Sequence, residues 1–161
     1  YIEGLKLQTA AQVVRKLVDN ISRNGNLCLN VSPKADGTIP ADQAEVLRGV
    51  GRWMKVNSEA VYGTQAWMHY GEGPRMAEHK GVAEWRFTQK GDSVLYAYMI
   101  NWKGGTTSIM SFNTIAVGKV KAVKLLGYDG NIKFEQDDKK LTLELPADNP
   151  SPGIAVVKVT L

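Results

Sequence analysis

The fold is decided by the stretch NGNLCLNVSPKADGTIPADQAEVLRGVGRWMKVNSEAVYGTQAW, which covers residues 24–67. Its pattern predicts a short buried strand over 26–31, a tight turn at Asp36-Gly37 and an amphipathic helix over 40–56. Strand–loop–helix units of this kind build α/β barrels and doubly wound sheets. A parallel strand needs neighbours on both sides and helices over its faces, and this chain supplies too few of them. We therefore interpret the chain as the C-terminal piece of a larger enzyme, starting inside a barrel.

A second helix is predicted before this stretch, over residues 10–23. Thr9 and Gln12 form a capping-box pattern at its start, and Asn24-Gly25 is typical of a left-handed stop. Its apolar side chains recur at helical spacing, at Ala10, Val13, Val14, Leu17, Val18 and Ile21. The stripe predicted for the helix over 40–56 consists of Val46, Leu47, Val50, Trp53 and Met54. Burying one leucine or valine is worth roughly 1.5–3 kcal/mol, so we expect either the rest of this chain or another chain to cover both stripes.

The pattern changes after Trp67. Residues 68–83 are rich in Gly, His and charge, and we interpret them as a linker or long loop. Period-two runs then predict seven strands, over 85–89, 94–101, 107–112, 120–126, 132–136, 141–145 and 154–161. Short strands at this spacing indicate an antiparallel sandwich. The predicted fold class is therefore α/β plus all-β: the last segments of a (β/α)8-like barrel over 1–66, a linker over 67–83 and a β-sandwich over 84–161.

Composition excludes several classes of function. The chain has 161 residues with a formal charge of +4, and its 20 basic residues are spread along it without the block that marks a nucleic-acid footprint. No run of residues is long and apolar enough to suggest a membrane span. The single cysteine, Cys28, cannot form an internal disulfide, and we expect it to be a buried small hydrophobe of the strand over 26–31.

The first block resembles the end of the catalytic domain of α-L-fucosidases, glycoside hydrolase family 29. The resemblance is strong over about residues 9–90 and diffuse beyond. It is carried by Asn24-Gly25-Asn26-Leu27, Leu29-Asn30-Val31, PKADGTIP over 33–40, Gly51 to Lys55, Asn57, Glu59-Ala60, Tyr62-Gly63-Thr64, Trp67, Gly71-Glu72-Gly73-Pro74 and Arg86-Phe87-Thr88. Departures from the family pattern are mild: Cys28, Ser32 and Ser58 stand where leucine, glycine and glycine are common.

The resemblance implies a retaining exo-glycosidase that removes terminal α-L-fucose from glycans. Such enzymes use two carboxyl groups about 5 Å apart, one as nucleophile and one as acid/base. In the family pattern both lie upstream of Tyr1, so we assign no catalytic residue and expect the segment alone to be inactive. The implied partners are a fucosylated glycan and the remainder of the barrel, with no nucleic acid and no membrane. Family habit implies a secreted, periplasmic or lysosomal enzyme, and no cofactor or metal is expected.

Three residues are candidates for the rim of the sugar pocket. Tyr1 resembles a tyrosine that lines the pocket in the family. Asn30 and Ser32 lie near the C-terminal end of the predicted strand, where barrel enzymes keep their active sites. The alternative for an asparagine at a strand end is a hydrogen bond to backbone, which is the more common arrangement.

Other chemistry-bearing residues favour structural roles. We expect Asp36 to serve the turn or the helix entry, and Glu59 to lie at the surface or cap a helix. His69 and His79 lack the spacing of a metal site and are expected at the surface. The aromatic residues Trp67, Trp85, Trp102, Tyr96 and Tyr98 could form a sugar-stacking platform, but period-two strands favour the core. If they did share a platform, the sandwich would be a carbohydrate-binding or structural module, which is the competing hypothesis.

Overall fold

The computed structural model describes residues 4, 6–73 and 84–161. Two helices lead the chain, α1 (Ala10–Ser22) and α2 (Ala41–Asn57), which confirms both helix predictions to within a residue at each end. The capping box of α1 is present: Gln12 N donates to Thr9 Oγ1 at 3.2 Å, and Thr9 N donates to Gln12 Oε1 at 2.8 Å. Asn24 adopts a left-handed backbone with φ of 62°, which turns the chain away from α1. None of the described helices is both long and apolar enough to cross a membrane.

Eight described strands form two antiparallel sheets. The strands are β1 (Gln65–Glu72), β2 (Trp85–Lys90), β3 (Val94–Met99), β4 (Gly105–Ile109), β5 (Ala122–Leu125), β6 (Lys133–Gln136), β7 (Leu141–Leu145) and β8 (Ala155–Thr160). One sheet has the order β1-β2-β3-β8-β5 and the other β4-β7-β6. Short helical segments follow α2 at Ser58–Ala60 and β4 at Met110–Phe112, and a one-turn helix, α3 (Thr114–Val117), precedes β5.

Two sequence predictions were wrong. Residues 26–31 are not a strand: they run without strand pairing, and Cys28 is exposed rather than buried. Residues 68–72, predicted as linker, belong to β1, which pairs with β2 through a bulge between Ala66 and Gly71. Residues 74–83 lie outside the described part. The predicted domain boundaries stay a prediction, although β1 crosses the one at 66/67.

The first hydrophobic core lies between the two sheets. Strand alternation sends Trp85 and Phe87 of β2, and Leu95 of β3, to the same side, where they meet Leu141 and Leu143 of β7. All five side chains are buried. Packing of two inner faces in this way is what defines a sandwich, so the predicted all-β architecture is confirmed.

The second core joins the helices to the outer face of the larger sheet. Tyr96 and Tyr98 of β3 alternate with the inner residues, and they pack against Val14, Val18 and Trp53 of the helices. The Trp53 indole Nε1 donates to the Ile154 carbonyl at 2.7 Å. The chain's own sandwich therefore covers one side of the helix pair.

A buried polar cluster fixes the segment after α2 on the same sheet. The Tyr98 hydroxyl donates to the Ala60 carbonyl, and it lies 3.1 Å from Thr88 Oγ1. Burial raises the pKa of Tyr98, so the phenol stays protonated and keeps donating. Glu59 Oε2 accepts from Lys158 Nζ at 2.6 Å and from the Tyr96 hydroxyl at 3.2 Å. These contacts make the helix pair and the sandwich one packed unit.

Candidate functional site

The side of the helix pair turned away from the sheet carries an open groove. It has a volume of about 330 Å³ and lies between residues 27–31 and the first halves of α1 and α2. Leu29 is 42% exposed at its rim, and Leu47 of α2 is 38% exposed. We call residues 27–31, together with Val46 and Leu47 of α2, the open face. The apolar residues of this face explain why the sequence of 26–31 resembles a buried strand. Within the described chain no other segment covers them.

The structure places the three sequence-predicted rim residues differently. Asn30 lines the groove and is exposed, and its Oδ1 lies 3.8 Å from Cys28 Sγ, which donates to it. Ser32 lies beyond the groove lining, and its backbone is held by Gln43: Ser32 N donates to Gln43 Oε1 at 2.8 Å, and Gln43 Nε2 donates to the Ser32 carbonyl at 3.4 Å. Tyr1 lies outside the described residues. The structure thus brings Asn30 to the open face and gives the Ser32 backbone an anchoring role.

The groove offers hydrogen bonding and positive charge but no carboxylate. Among the described residues that line it, the polar ones are Lys6, Gln8, Lys16, Asn30 and Gln43. General acid/base catalysis of glycoside hydrolysis needs a pair of carboxyl groups. The described lining can therefore position a ligand or a neighbouring segment, and it cannot carry out the hydrolysis.

The two acidic residues considered from the sequence, Asp36 and Glu59, form hydrogen bonds within the fold and do not line the groove. Asp36 Oδ1 accepts from Thr38 N at 2.9 Å and from Thr38 Oγ1 at 2.7 Å, which lowers the pKa of Asp36 and confirms its role in the turn. For Glu59, burial alone would raise the pKa, but the hydrogen bond and charge of Lys158 outweigh it and the pKa is lowered. Both carboxyls are ionised near neutral pH and hold structure together.

Asp19 and Glu84 approach each other across Arg86. Arg86 Nε donates to Asp19 Oδ1 at 2.8 Å and Arg86 Nη2 donates to Glu84 Oε1 at 2.7 Å. Arg15 adds a contact to Glu84 at 3.2 Å and Arg23 one to Asp19 at 3.3 Å. Burial alone would raise the pKa of Asp19, but the arginines outweigh it and lower the pKa. A general acid needs the opposite shift, so this cluster joins α1 to β2 rather than acting on a substrate.

The histidine and aromatic predictions are resolved as follows. His69 is exposed and lies edge-on to Trp67, with 5.2 Å between ring centroids, while His79 lies outside the described residues. In the described part of the chain no group of three metal-ligating side chains comes together. Trp67, Trp85, Tyr96 and Tyr98 are buried in the two cores, which confirms the core interpretation, and Trp102 is half-buried.

Sequence reasoning missed Gln43 and misjudged Leu47. Gln43 is 8% exposed and holds residue 32, but it sits in a polar run at the start of α2 and no pattern marks it. Leu47 was assigned to the buried stripe. A signal was available, because Leu47 lies six residues from Trp53, about 120° around the helix, so that one face of α2 cannot bury both.

Known proteins match the whole of this arrangement. The family model described as Alpha-L-fucosidase matches residues 1–59, and the model described as Alpha-L-fucosidase C-terminal domain matches residues 81–159. The tissue alpha-L-fucosidase of Homo sapiens is 32% identical over 143 residues, which is 88% of this chain and 28% of that protein. The plasma alpha-L-fucosidase of Homo sapiens is 29% identical over 141 residues, 86% of this chain and 28% of that protein.

Solved structures agree with the sequence comparisons. The crystal structure of Thermotoga maritima alpha-fucosidase in complex with fucose superimposes with a TM-score of 0.79 at 28% identity, over 99% of this chain and 37% of that one. The chain thus spans 28% of the length of either human relative and little more of the bacterial one. The two family models together cover the helix pair and strands β2 to β8 of the sandwich. The chain therefore belongs to the α-L-fucosidase family, glycoside hydrolase family 29, and corresponds to the C-terminal portion of its members.

Proposed function

We propose that this chain is the C-terminal part of a retaining exo-α-L-fucosidase that hydrolyses terminal α-L-fucose from glycoconjugates. In this proposal the nucleophile and the acid/base come from a segment upstream of Tyr1. One carboxylate attacks the sugar to form a glycosyl-enzyme while the other protonates the leaving oxygen, and water then releases fucose. The described residues supply the surface on which that catalytic segment rests.

The observation that carries this proposal is the open face. Its groove is formed by the stretch that resembles the end of the family's barrel, and its lining is apolar and basic without a carboxylate. Exposed leucines in such a cluster cost solubility unless something covers them. Since the chain spans 28% of its human relatives, the family's remaining catalytic domain is the partner we expect to cover it.

Asn30 is the described residue that we expect nearest to the sugar pocket. Its amide is exposed in the groove, where it can bind substrate or hold the neighbouring barrel segment. Tyr1 and Ser32 stay predicted rim residues. The names of the relatives, which include tissue and plasma enzymes, support a secreted or lysosomal location, and a periplasmic one is the corresponding proposal for a bacterial host.

The test is an assay of two proteins on a chromogenic α-L-fucoside. One is the 161-residue chain and the other a longer enzyme that contains it. We expect turnover by the longer enzyme and none by the chain alone, because the groove lining holds no carboxylate and the catalytic pair is proposed to lie upstream of Tyr1. Turnover by the chain alone would contradict the proposal.

The competing binding-module hypothesis loses its original basis. It rested on five aromatic residues sharing a surface, and four of them are buried while Trp102 Nε1 donates to the Ala147 carbonyl at 3.1 Å. A binding function for the sandwich therefore needs a different surface.

A further inference from the structure

The sandwich carries a second cleft, remote in sequence from the open face. It has a volume of about 530 Å³ and lies between edge strand β5 of the larger sheet and the segment that leads into edge strand β6 of the smaller one. Its lining includes Lys124 of β5 and the loop residues Tyr128, Asp129, Gly130 and Asn131. Small-ligand sites commonly have volumes in this range.

The ring of Tyr128 folds back over Gly130 at the cleft. A Cβ atom added to Gly130 would lie 2.4 Å from Cε1 and from Cζ of Tyr128, so the ring occupies the space that any larger residue at 130 would need. The Tyr128 backbone N donates to the Leu125 carbonyl at 3.2 Å, which ties the loop to the end of β5. Tyr128 nevertheless keeps 40% of its surface exposed. A supported ring with an uncovered part is the arrangement that stacking on a ligand requires.

Polar groups surround the ring and are not used by the fold. Within the described chain, the side chains of Lys124, Asp129 and Asn131 form no hydrogen bond or ion pair, and neither does the Tyr128 hydroxyl. They provide a cation, an anion, an amide with donor and acceptor, and a phenol. The lining also includes Lys121, whose Nζ donates to the Leu161 carbonyl at 2.8 Å, so two lysines face one aspartate and the cleft carries one net positive charge. The unused donors and acceptors beside the ring suit a ligand that carries many hydroxyl groups.

We propose that this cleft binds one pyranose ring of a glycan, with the sugar's C–H face on Tyr128 and its hydroxyls bonded to Asp129, Asn131 and Lys124. An aromatic ring supplies apolar contact area, and the neighbouring polar groups fix the orientation. The choice of a glycan over other polyhydroxylated ligands rests on the proposed function. The site would hold one sugar unit of the substrate glycoconjugate. A single ring makes few contacts, so we expect a dissociation constant on the order of millimolar.

The test is a titration of the isotope-labelled 161-residue chain with methyl β-D-galactopyranoside and, separately, methyl α-L-fucopyranoside, followed by amide NMR shifts. We expect at least one sugar to give saturable shifts that are confined to residues 121–124 and 128–132. Tyr128→Ala removes the stacking surface and should weaken binding at least tenfold. Gly130→Ala should do the same without touching the sugar, because its methyl group displaces a side-chain ring, which can swing away without disturbing the backbone.

Tyr62→Ala is the matched control, since Tyr62 is 68% exposed and distant in sequence from the cleft, and binding should be unchanged. The same spectra report whether each variant is folded. Absence of saturable shifts with both sugars, or binding that survives Tyr128→Ala, would overturn the proposal. Hydrolysis of the chromogenic α-L-fucoside by the longer enzyme is measured separately, so failure here leaves the proposed fucosidase activity standing, and the reverse also holds.

Discussion

Trp53 is the residue that most directly joins the helix pair to the sandwich. Its side chain is fully buried among Val18, Tyr96 and Val156, and its indole N–H donates across to the Ile154 carbonyl at 2.7 Å. We expect Trp53→Ala to lower the free energy of unfolding by about 3–5 kcal/mol, the usual cost of removing a large buried aromatic. Urea denaturation followed by circular dichroism measures it.

Trp53→Phe separates packing from the hydrogen bond. It keeps most of the ring but removes one of the two donors to the Ile154 carbonyl, the other being Ser151 Oγ at 3.1 Å, so a loss of about 0.5–1.5 kcal/mol is expected for the hydrogen bond. If Trp53→Ala cost less than this replacement, the helices would not rest on the sheet as described.

Arg86 holds two carboxylates of different elements, and its removal should have a pH signature. The side chain of Arg86 is 11% exposed and contacts Asp19 of α1 and Glu84 next to β2, while Arg15 and Arg23 face the same cluster. Asp19 has a lowered pKa in the folded chain, so its ionised form contributes stability above its unfolded pKa of about 3.9. That contribution is lost as pH falls through the folded value.

Arg86→Met should therefore cost most at pH 7, by roughly 2–3 kcal/mol, because the carboxylates lose their principal donor. The difference from the natural chain should shrink at pH 3, because Asp19 of the unfolded chain is then largely protonated and its ion pair with Arg86 contributes less stability. The measurement is the free energy of unfolding at the two pH values. A difference that is equal at both would show that Arg86 acts through packing alone.

At the scale of elements, the sequence predicted those helices and strands whose formation depends on residues close together in the chain. The bounds of α1 follow from the Thr9–Gln12 capping box and the turn at Asn24, both of which involve neighbours in sequence. Strands β2 to β8 follow from alternation and turn residues. β1 was missed because its Gly71 and His69 are poor strand formers, and pairing with β2 overrides that preference. Residues 26–31 were predicted as a strand because they are apolar, and a run of apolar residues looks like a buried strand. In the structure residues 27–31 line the open groove instead.

Two glycines in α2 give a matched pair of predictions. A Cβ on Gly49 would lie 2.5 Å from the Ala10 Cβ of α1, whereas one on Gly51 would meet nothing within 4 Å. Gly51→Ala should stabilise the chain by about 0.8–1.0 kcal/mol through helix propensity. Gly49→Ala should lose that gain and destabilise, because the two helices must move apart. Thermal unfolding of both variants is the measurement, and equal shifts in Tm would contradict the close approach of α1 and α2.

At the scale of the whole molecule, the chain covers one side of its helix pair and leaves the other open. We expected the sandwich or another chain to cover the apolar stripes of the helices, and the core between α1, α2 and the larger sheet confirms this in part. The cover is incomplete, since Leu29 and Leu47 stay exposed at the groove. The isolated chain should therefore bind a hydrophobic dye and self-associate at high concentration.

Charges on the open face should suppress both properties. We expect Leu29→Lys with Leu47→Lys to reduce dye fluorescence and shift sedimentation towards the monomer. Ile115→Lys is the control, because Ile115 is 82% exposed on α3 and does not line the groove, so little change is expected. Equal effects of the two changes would remove the evidence for a specific uncovered surface.

The candidate site shows why sequence reasoning reached the family but not the chemistry. Glycines, prolines and turn residues around 33–40 carry the resemblance because they fix the backbone. The structure confirms the turn at Asp36 and the helix that follows it. Asn30 was predicted at a pocket rim from a strand end that does not exist; it lines the groove, and its place at the sugar pocket stays a prediction. The hydrogen bond between Ser32 N and Gln43 Oε1 joins residues that are eleven positions apart, and no local sequence pattern reveals it.

The most direct test of the account locates the catalytic nucleophile in the longer enzyme. That enzyme is treated with 2-deoxy-2-fluoro-α-L-fucosyl fluoride, which traps the glycosyl-enzyme, then digested, and the labelled peptide is identified by mass spectrometry. We predict that the label lies on a carboxylate upstream of Tyr1 and on none of the 16 acidic residues of this chain. A fluorofucosyl group on any of those 16, such as Asp36 or Glu59, would contradict the account.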